Sequence, residues 1–186
     1  MLALFKWAVI TAVALVAILV TVGLFLPSDY QVSRTILIEA DHESIHGLVG
    51  ELTRWPEWTP WQEMDPSLKT VYGEKTTGVG AHQAWNGKSG NGELTFTRCD
   101  PESGVAYDLF FAGGRDKSPG AITYQAAGDG TNVTWEMSGD FGMNLIGRYY
   151  GLMMERMVGT MFDDGLKRLK RRAEADARRK DRDAAD

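Results

Sequence analysis

The sequence predicts an α+β fold in which an antiparallel sheet is covered on one face by a single long C-terminal helix, with an apolar helix ahead of the domain. Three observations carry this. Residues 7–26, WAVITAVALVAILVTVGLFL, contain no charged side chain. Between residues 69 and 138, short runs alternate apolar and polar positions and are separated by Gly- or Asp-containing turns, the pattern of half-buried strands. From about residue 144 the period becomes helical and stays so past Leu169. A sheet with one apolar face requires a cover, and the last helix is the element available to supply it.

Composition bounds the rest. The chain has 186 residues, room for one membrane segment and one domain of roughly 140 residues with a real core. Hydrophobic residues make up 44% and charged residues 24%, a globular balance rather than a disordered one. A net charge of −5 argues against a dedicated nucleic-acid binder, which carries a basic excess. Cys99 is the single cysteine, which excludes an internal disulfide and a Cys-rich zinc site.

The apolar run of residues 7–26 is ~30 Å long as a helix, the thickness of a bilayer core. A cleaved signal peptide has a shorter apolar core and ends at a small-x-small site; this run ends Leu24-Phe25-Leu26-Pro27, so an uncleaved anchor is expected. Lys6 and the amino terminus precede it and Asp29 follows, which places the N-terminus in the cytoplasm and the domain outside, in the periplasm of a Gram-negative cell. The expected divisions are 1–27 for a transmembrane anchor, 28–172 for the folded domain and 173–186 for a charged C-terminal tail, read as a frayed helical end.

Within the domain, residues 31–40 read as a strand rich in β-branched residues. Asp41 caps a helix whose Ile45, Leu48, Val49 and Leu52 form an apolar stripe. Pro56 and Pro60 break the pattern, so residues 55–66 read as a structured loop or a short irregular helix. Strands follow near 69–72, 79–86, 92–99, 105–112, 121–126 and 132–138, with turns at Asn86-Gly87, Gly90-Asn91-Gly92, Asp100-Pro101, Gly113-Gly114 and Gly128-Asp129-Gly130. Val105, Tyr107, Leu109 and Phe111 point one way, as do Val133, Trp135 and Met137. On the last helix Tyr150, Met154, Met157 and Met161 are read as the stripe facing the sheet. Gly147 and Gly151 would allow a close approach or leave room for a ligand.

Several motifs invite a chemical reading. His42-Glu43-Ser44-Ile45-His46 fits the zinc-protease pattern H-E-x-x-H, which makes His42 and His46 metal-ligand candidates. The stripe argues against it: both histidines fall at the border of the buried face, Glu43 falls on the solvent side, and the motif opens a helix directly after its cap. No metal is expected. Trp55, Trp58 and Trp61 recur three apart, and a structural plug is expected for at least two of them. The basic run from Lys167 to Arg182 is diluted by acids, as in a solvated helix end. There is no G-x-S-x-G, P-loop or G-x-G-x-x-G, and no cofactor is expected. His82 and Asp108 are the candidates for acid–base work, though no spacing marks them as a pair.

The stretches IEADHESIHGLVGELTRWPEWTPW, VGAHQAWNG, TNVTWEMSGD and GLMMERMVGTMFDDGLKRLK resemble, in order, the first strand, helix and Trp-Pro loop, a strand, the last strand and the closing helix of the SRPBCC (START/Bet v 1-like, polyketide cyclase/dehydrase-like) superfamily. The resemblance spans residues 28–170. It implies a helix-grip fold, a curved sheet wrapped on the C-terminal helix with a cavity between them. Members bind lipids, sterols, polyketides and other apolar molecules, and some catalyse cyclisation or ring-hydroxylation steps. The leading expectation is therefore a non-enzymatic, membrane-anchored domain for a lipid or other hydrophobic small molecule. Its expected wall is Trp85, Phe96, Tyr107, Leu109, Tyr124 and Trp135 from strands and Tyr150, Met154, Met157 and Met161 from the helix, with Trp58 and Trp61 at the mouth. The alternatives are a cyclase/dehydratase-like enzyme, which needs His82 or Asp108 buried in that cavity, and a structural or partner-binding envelope protein, for which the sequence points to no particular protein partner.

Overall fold

A computed structural model describes residues 2–111 and 117–185. In chain order the elements are α1 (Leu2–Phe25), β1 (Asp29–Ile38), α2 (His42–Val49), a 3₁₀ turn (Leu52–Glu57), α3 (Trp61–Met64), β2 (Lys69–Tyr72), β3 (His82–Gly87), β4 (Gly90–Asp100), β5 (Gly104–Phe111), β6 (Lys117–Ala127), β7 (Gly130–Asp140) and α4 (Leu145–Ala185). The strands form one seven-stranded sheet in the order β1-β7-β6-β5-β4-β3-β2, each neighbour antiparallel. This is the helix-grip arrangement, with β1 returning beside β7 at one edge and the four-residue β2 closing the other.

Local chemistry explains the elements. Asp41 stands in extended backbone and its carboxylate accepts the Ser44 N–H at 2.6 Å, which starts α2 and holds the Asp41 carboxyl below its usual range. Ile45, Leu48, Val49 and Leu52 are fully buried. Pro119 lies within β6, whereas the sequence pattern starts that strand two residues later, at residue 121. Pairing of β6 with β7 starts only at Gly120, so the proline sits outside that ladder and is tolerated. The predicted end of the fifth strand at Ala112 and the Gly113-Gly114 turn lie outside the described residues.

Helix α4 differs from expectation in two ways. It continues unbroken to Ala185, and the start of the charged stretch is docked: Ala173 is buried, and Asp176 pairs with Arg54 at 3.2 Å and Arg172 at 3.6 Å. Its sheet-facing side is also rotated from the predicted stripe. Met154, Val158, Met161, Phe162, Leu166, Leu169 and Ala173 pack inward, whereas Tyr150 and Met157 are 61% and 59% exposed. Helix α4 lies along β1, held there by Arg34, which reaches Glu155 at 2.8 Å and Asp163 at 3.2 Å. Gly159 makes room for that guanidinium; a Cβ there would overlap it. The first half of α4 is apolar on more than one side, so period alone could not choose the buried one. Gly147 and Gly151 admit the Phe141 ring, which packs on Tyr30 with centroids 5.3 Å apart.

Candidate ligand-binding site

The space between sheet and α4 is lined by aromatic side chains in mutual contact. Trp135 from β7 and Phe162 from α4 stack with centroids 4.1 Å apart and planes 11° from parallel. Trp58 meets Trp135 at 5.2 Å and Trp55 at 5.3 Å. Trp55 in turn meets Phe96 and Tyr107, each at 5.9 Å. The indole N–H groups of Trp55 and Trp58 donate to the Val49 and Leu48 carbonyls at 2.8 and 3.2 Å, tying the Trp-Pro loop to the end of α2. Both rings are fully buried, the plug expected of two of the three tryptophans. Trp61 is half-buried and bridges to Trp85, which reaches Phe111 at the rim.

The expected wall residues therefore divide. Trp58, Phe96, Tyr107, Leu109, Tyr124 and Trp135 are buried, and Trp61, Trp85, Met154 and Met161 are half-buried against them. Tyr150 and Met157 lie on the far side of α4. Tyr107 accepts the Trp135 Nε1–H at 2.8 Å, and burial raises its phenol well above the usual range. A hollow beside Trp55, Trp61 and Gln83 measures about 10 Å³, no more than a water's worth.

A much larger hollow of about 480 Å³ lies elsewhere, between α1 and the start of α4. Leu19 and Val20 form one side; Leu145, Ile146, Tyr149, Tyr150 and Met153 form the other. The lining is almost wholly apolar, and the volume falls within the roughly 300–1,000 Å³ of small-molecule sites. Two side chains fasten this seam. Arg148 donates from Nη1 to the carbonyls of Gly23, Leu24 and Leu26 at 3.3, 3.1 and 3.2 Å, capping α1 with a cation where its unpaired carbonyls collect. The Tyr149 hydroxyl donates to the Leu19 carbonyl at 2.6 Å. Of the residues expected to line a ligand site only Tyr150 falls here, and sequence reasoning did not anticipate the seam itself. Its signal was present in LIGRYYGLMMERM, which carries apolar residues on more sides than one sheet can cover.

The remaining candidates do not enter either space. His82, Thr95 and Asp108 are successive cross-strand partners on β3, β4 and β5, and directly opposed residues share a sheet face. That face is the outer one, since Gln83, Leu94 and Leu109 in the next row are buried. His82 Nδ1 is 3.0 Å from the Thr95 hydroxyl and Asp108 pairs with Lys117 at 2.7 Å. The two acid–base candidates thus decorate the convex surface, because strand parity turns both away from the interior. The histidines of HESIH both meet the Tyr124 ring, at 5.8 and 6.0 Å, and differ in their nearest charged or polar groups. His42 Nδ1 lies 3.5 Å from Glu102, while His46 lies between Cys99 Sγ (3.5 Å) and the Tyr124 hydroxyl (3.4 Å). Burial lowers the His46 pKa and raises those of Cys99 and Tyr124, so imidazole, thiol and phenol are all held toward their neutral forms. Among the described residues no group of three His, Cys, Asp or Glu side chains is placed to hold a metal ion.

Solved structures of similar fold include protein TTHA0849 from Thermus thermophilus, with 19% identity and a TM-score of 0.55 over 79% of this chain and 99% of that one. Protein CV1439 from Chromobacterium violaceum gives 14% and 0.53 over 77% and 96%. The di-domain ARO/CYC StfQ from the steffimycin biosynthetic pathway gives 11% and 0.61, with 80% of this chain matched to 52% of that one. At these identities the likeness is one of fold. No curated protein sequence matches the chain. The family model described as polyketide cyclase / dehydrase and lipid transport matches residues 29–174, β1 through the buried part of α4. The chain belongs to the polyketide cyclase/dehydrase and lipid transport family.

Proposed function

We propose that the protein is a membrane-anchored, non-enzymatic domain that binds a lipid or another apolar small molecule, and that its binding site is the seam between α1 and α4. The observation that carries this reading is the apolar hollow of about 480 Å³ at that seam, set against the ring-filled space between sheet and helix. The span Leu4–Phe25 is long and apolar enough to cross a bilayer and is 6% buried, so it has the character of a membrane anchor; a signal sequence shares that character. Anchoring would set the hollow beside a reservoir of apolar ligand, and the family's connection with lipid transport agrees with it. The charge bias around Lys6 favours a domain outside the cytoplasm. An acid–base mechanism has less support, since His82 and Asp108 face away from both spaces.

The test is mass spectrometry of the full-length protein purified in detergent, beside Met153→Trp, which fills the hollow with an indole. The expected result is a defined lipid or apolar molecule near one per chain in the native protein, and several-fold less in the variant. Equal amounts in both, or none in either, would overturn the assignment of the site.

A further inference from the structure

We infer that the first turns of α4, residues 145–154, lie inside the bilayer beside α1, so that the domain is sunk into the membrane surface rather than suspended above it. The inference rests on α1 being an anchor. The exposed stripe of α4 is Ile146, Tyr150, Met153 and Met157, which at 100° per residue falls within about 60° of arc. Their exposures are 72%, 61%, 55% and 59%. Leu152, 60% exposed, lies about 100° from Met153, on the side from which Leu145 and Tyr149 meet α1. Contiguous exposed apolar area of this kind marks an interaction surface.

The occupant follows from where the face sits. The Tyr149 hydroxyl reaches the Leu19 carbonyl, and Leu19 stands six residues before Phe25, the end of α1. At 1.5 Å per residue, that is about 9 Å along the axis from the helix end. The Leu145 and Tyr149 side chains flank Gly23, where an added Cβ would meet them at 3.5 and 3.2 Å. The seam therefore lies at depths where α1 itself is surrounded by acyl chains, and the adjoining stripe shares that level. Interfacial helices bury an apolar face by roughly 5–10 Å, the same depth.

The charges agree. Arg148 is bound to the carbonyls at the end of α1 and to the Gly142 carbonyl at 2.9 Å, and Glu155 is paired with Arg34. Arg156 is the first exposed cation along the helix, and Thr160, Asp164 and Lys167 follow it on the exposed side, which sets the water boundary near residues 156–160.

Nitroxide depth measurement tests this on the full-length chain in nanodiscs of phosphatidylcholine and phosphatidylglycerol, in a Cys99→Ser background. Labels are placed at Val13→Cys in α1, Ile146→Cys and Met153→Cys on the stripe, and Lys167→Cys beyond it. All four native side chains are exposed, so the fold tolerates the change, and circular dichroism checks it. The expected ratio of oxygen to nickel-chelate accessibility is several-fold higher at Ile146→Cys and Met153→Cys than at Lys167→Cys, as it is at Val13→Cys. Water-like ratios on the stripe with a lipid-like Val13→Cys would overturn the inference and leave the anchor standing. A water-like Val13→Cys would remove the anchor and the inference with it.

Discussion

Phe162→Ala tests whether the space between sheet and α4 is packed by side chains. Phe162 is 1% exposed and stacks on Trp135 at 4.1 Å, and Trp135 is itself braced by Trp58. Removing the ring forfeits about 1.5–3 kcal/mol of transfer free energy. If Trp135 and Trp58 cannot collapse into the space, a cavity term brings the loss to about 3–5 kcal/mol. The neighbours argue against collapse: Trp135 is tied to Tyr107 at 2.8 Å and Trp58 to the Leu48 carbonyl at 3.2 Å. For a chain of this size 1 kcal/mol moves Tm by roughly 2–4 °C, so the expected drop is roughly 6–20 °C. The assay is thermal unfolding of the full chain in detergent, followed by tryptophan emission, with Met157→Ala as the companion. Met157 is 59% exposed, and its loss is expected to change stability by no more than about 0.5 kcal/mol. A Phe162→Ala cost near or below about 1.5 kcal/mol would show that the ring borders open space. A Met157→Ala cost equal to that of Phe162→Ala would refute the helix phase.

Three further outcomes are expected. Asp41→Ala removes the acceptor of the Ser44 N–H and should destabilise the domain by about 0.5–2 kcal/mol, with Asp41→Asn recovering most of it, as read by thermal unfolding. Tyr107→Phe leaves the buried Trp135 Nε1–H without its acceptor and should cost about 1–3 kcal/mol, while Tyr150→Phe, on the exposed side, should leave Tm unchanged. The folded-state pKa of His46 is depressed from 6.5 by burial, so protons bind the unfolded chain more readily. Its contribution is complete above about pH 6.5 and is lost as pH falls from there through the lower folded-state value. Tm measured from pH 7.5 to 5.5 should fall more in the native protein than in His46→Phe, and parallel curves would contradict the assignment.

Sequence alone determined what depends on nearest neighbours along the chain. Asp41 as a cap needs only its own carboxylate and the Ser44 N–H three residues on, and Ile45, Leu48 and Val49 declare the buried face of α2 because the opposite side is polar. The alternation of Val105, Tyr107 and Leu109, and of Val133, Trp135 and Met137, identified the inner face of the sheet because strand period is two and leaves no third choice. The apolar character of α1 is likewise written in its composition.

Tertiary structure decided everything that depends on which surfaces meet. Strand parity put His82 and Asp108 on the outer face, and only the register of β3, β4 and β5 shows that they share a row there. The methionines of α4 suggested one stripe, but the first half of that helix is apolar on two sides, one for the sheet and one for α1. The side that met the sheet is the one that buries Phe162, Leu166 and Leu169, and the Arg34 pairs with Glu155 and Asp163, contacts across more than a hundred residues of chain, accompany it. The Arg148 cap on α1 is of the same kind. A helix's period states that it has an apolar face; where a second apolar surface competes for it, the side that turns inward is chosen by partners that no local pattern names.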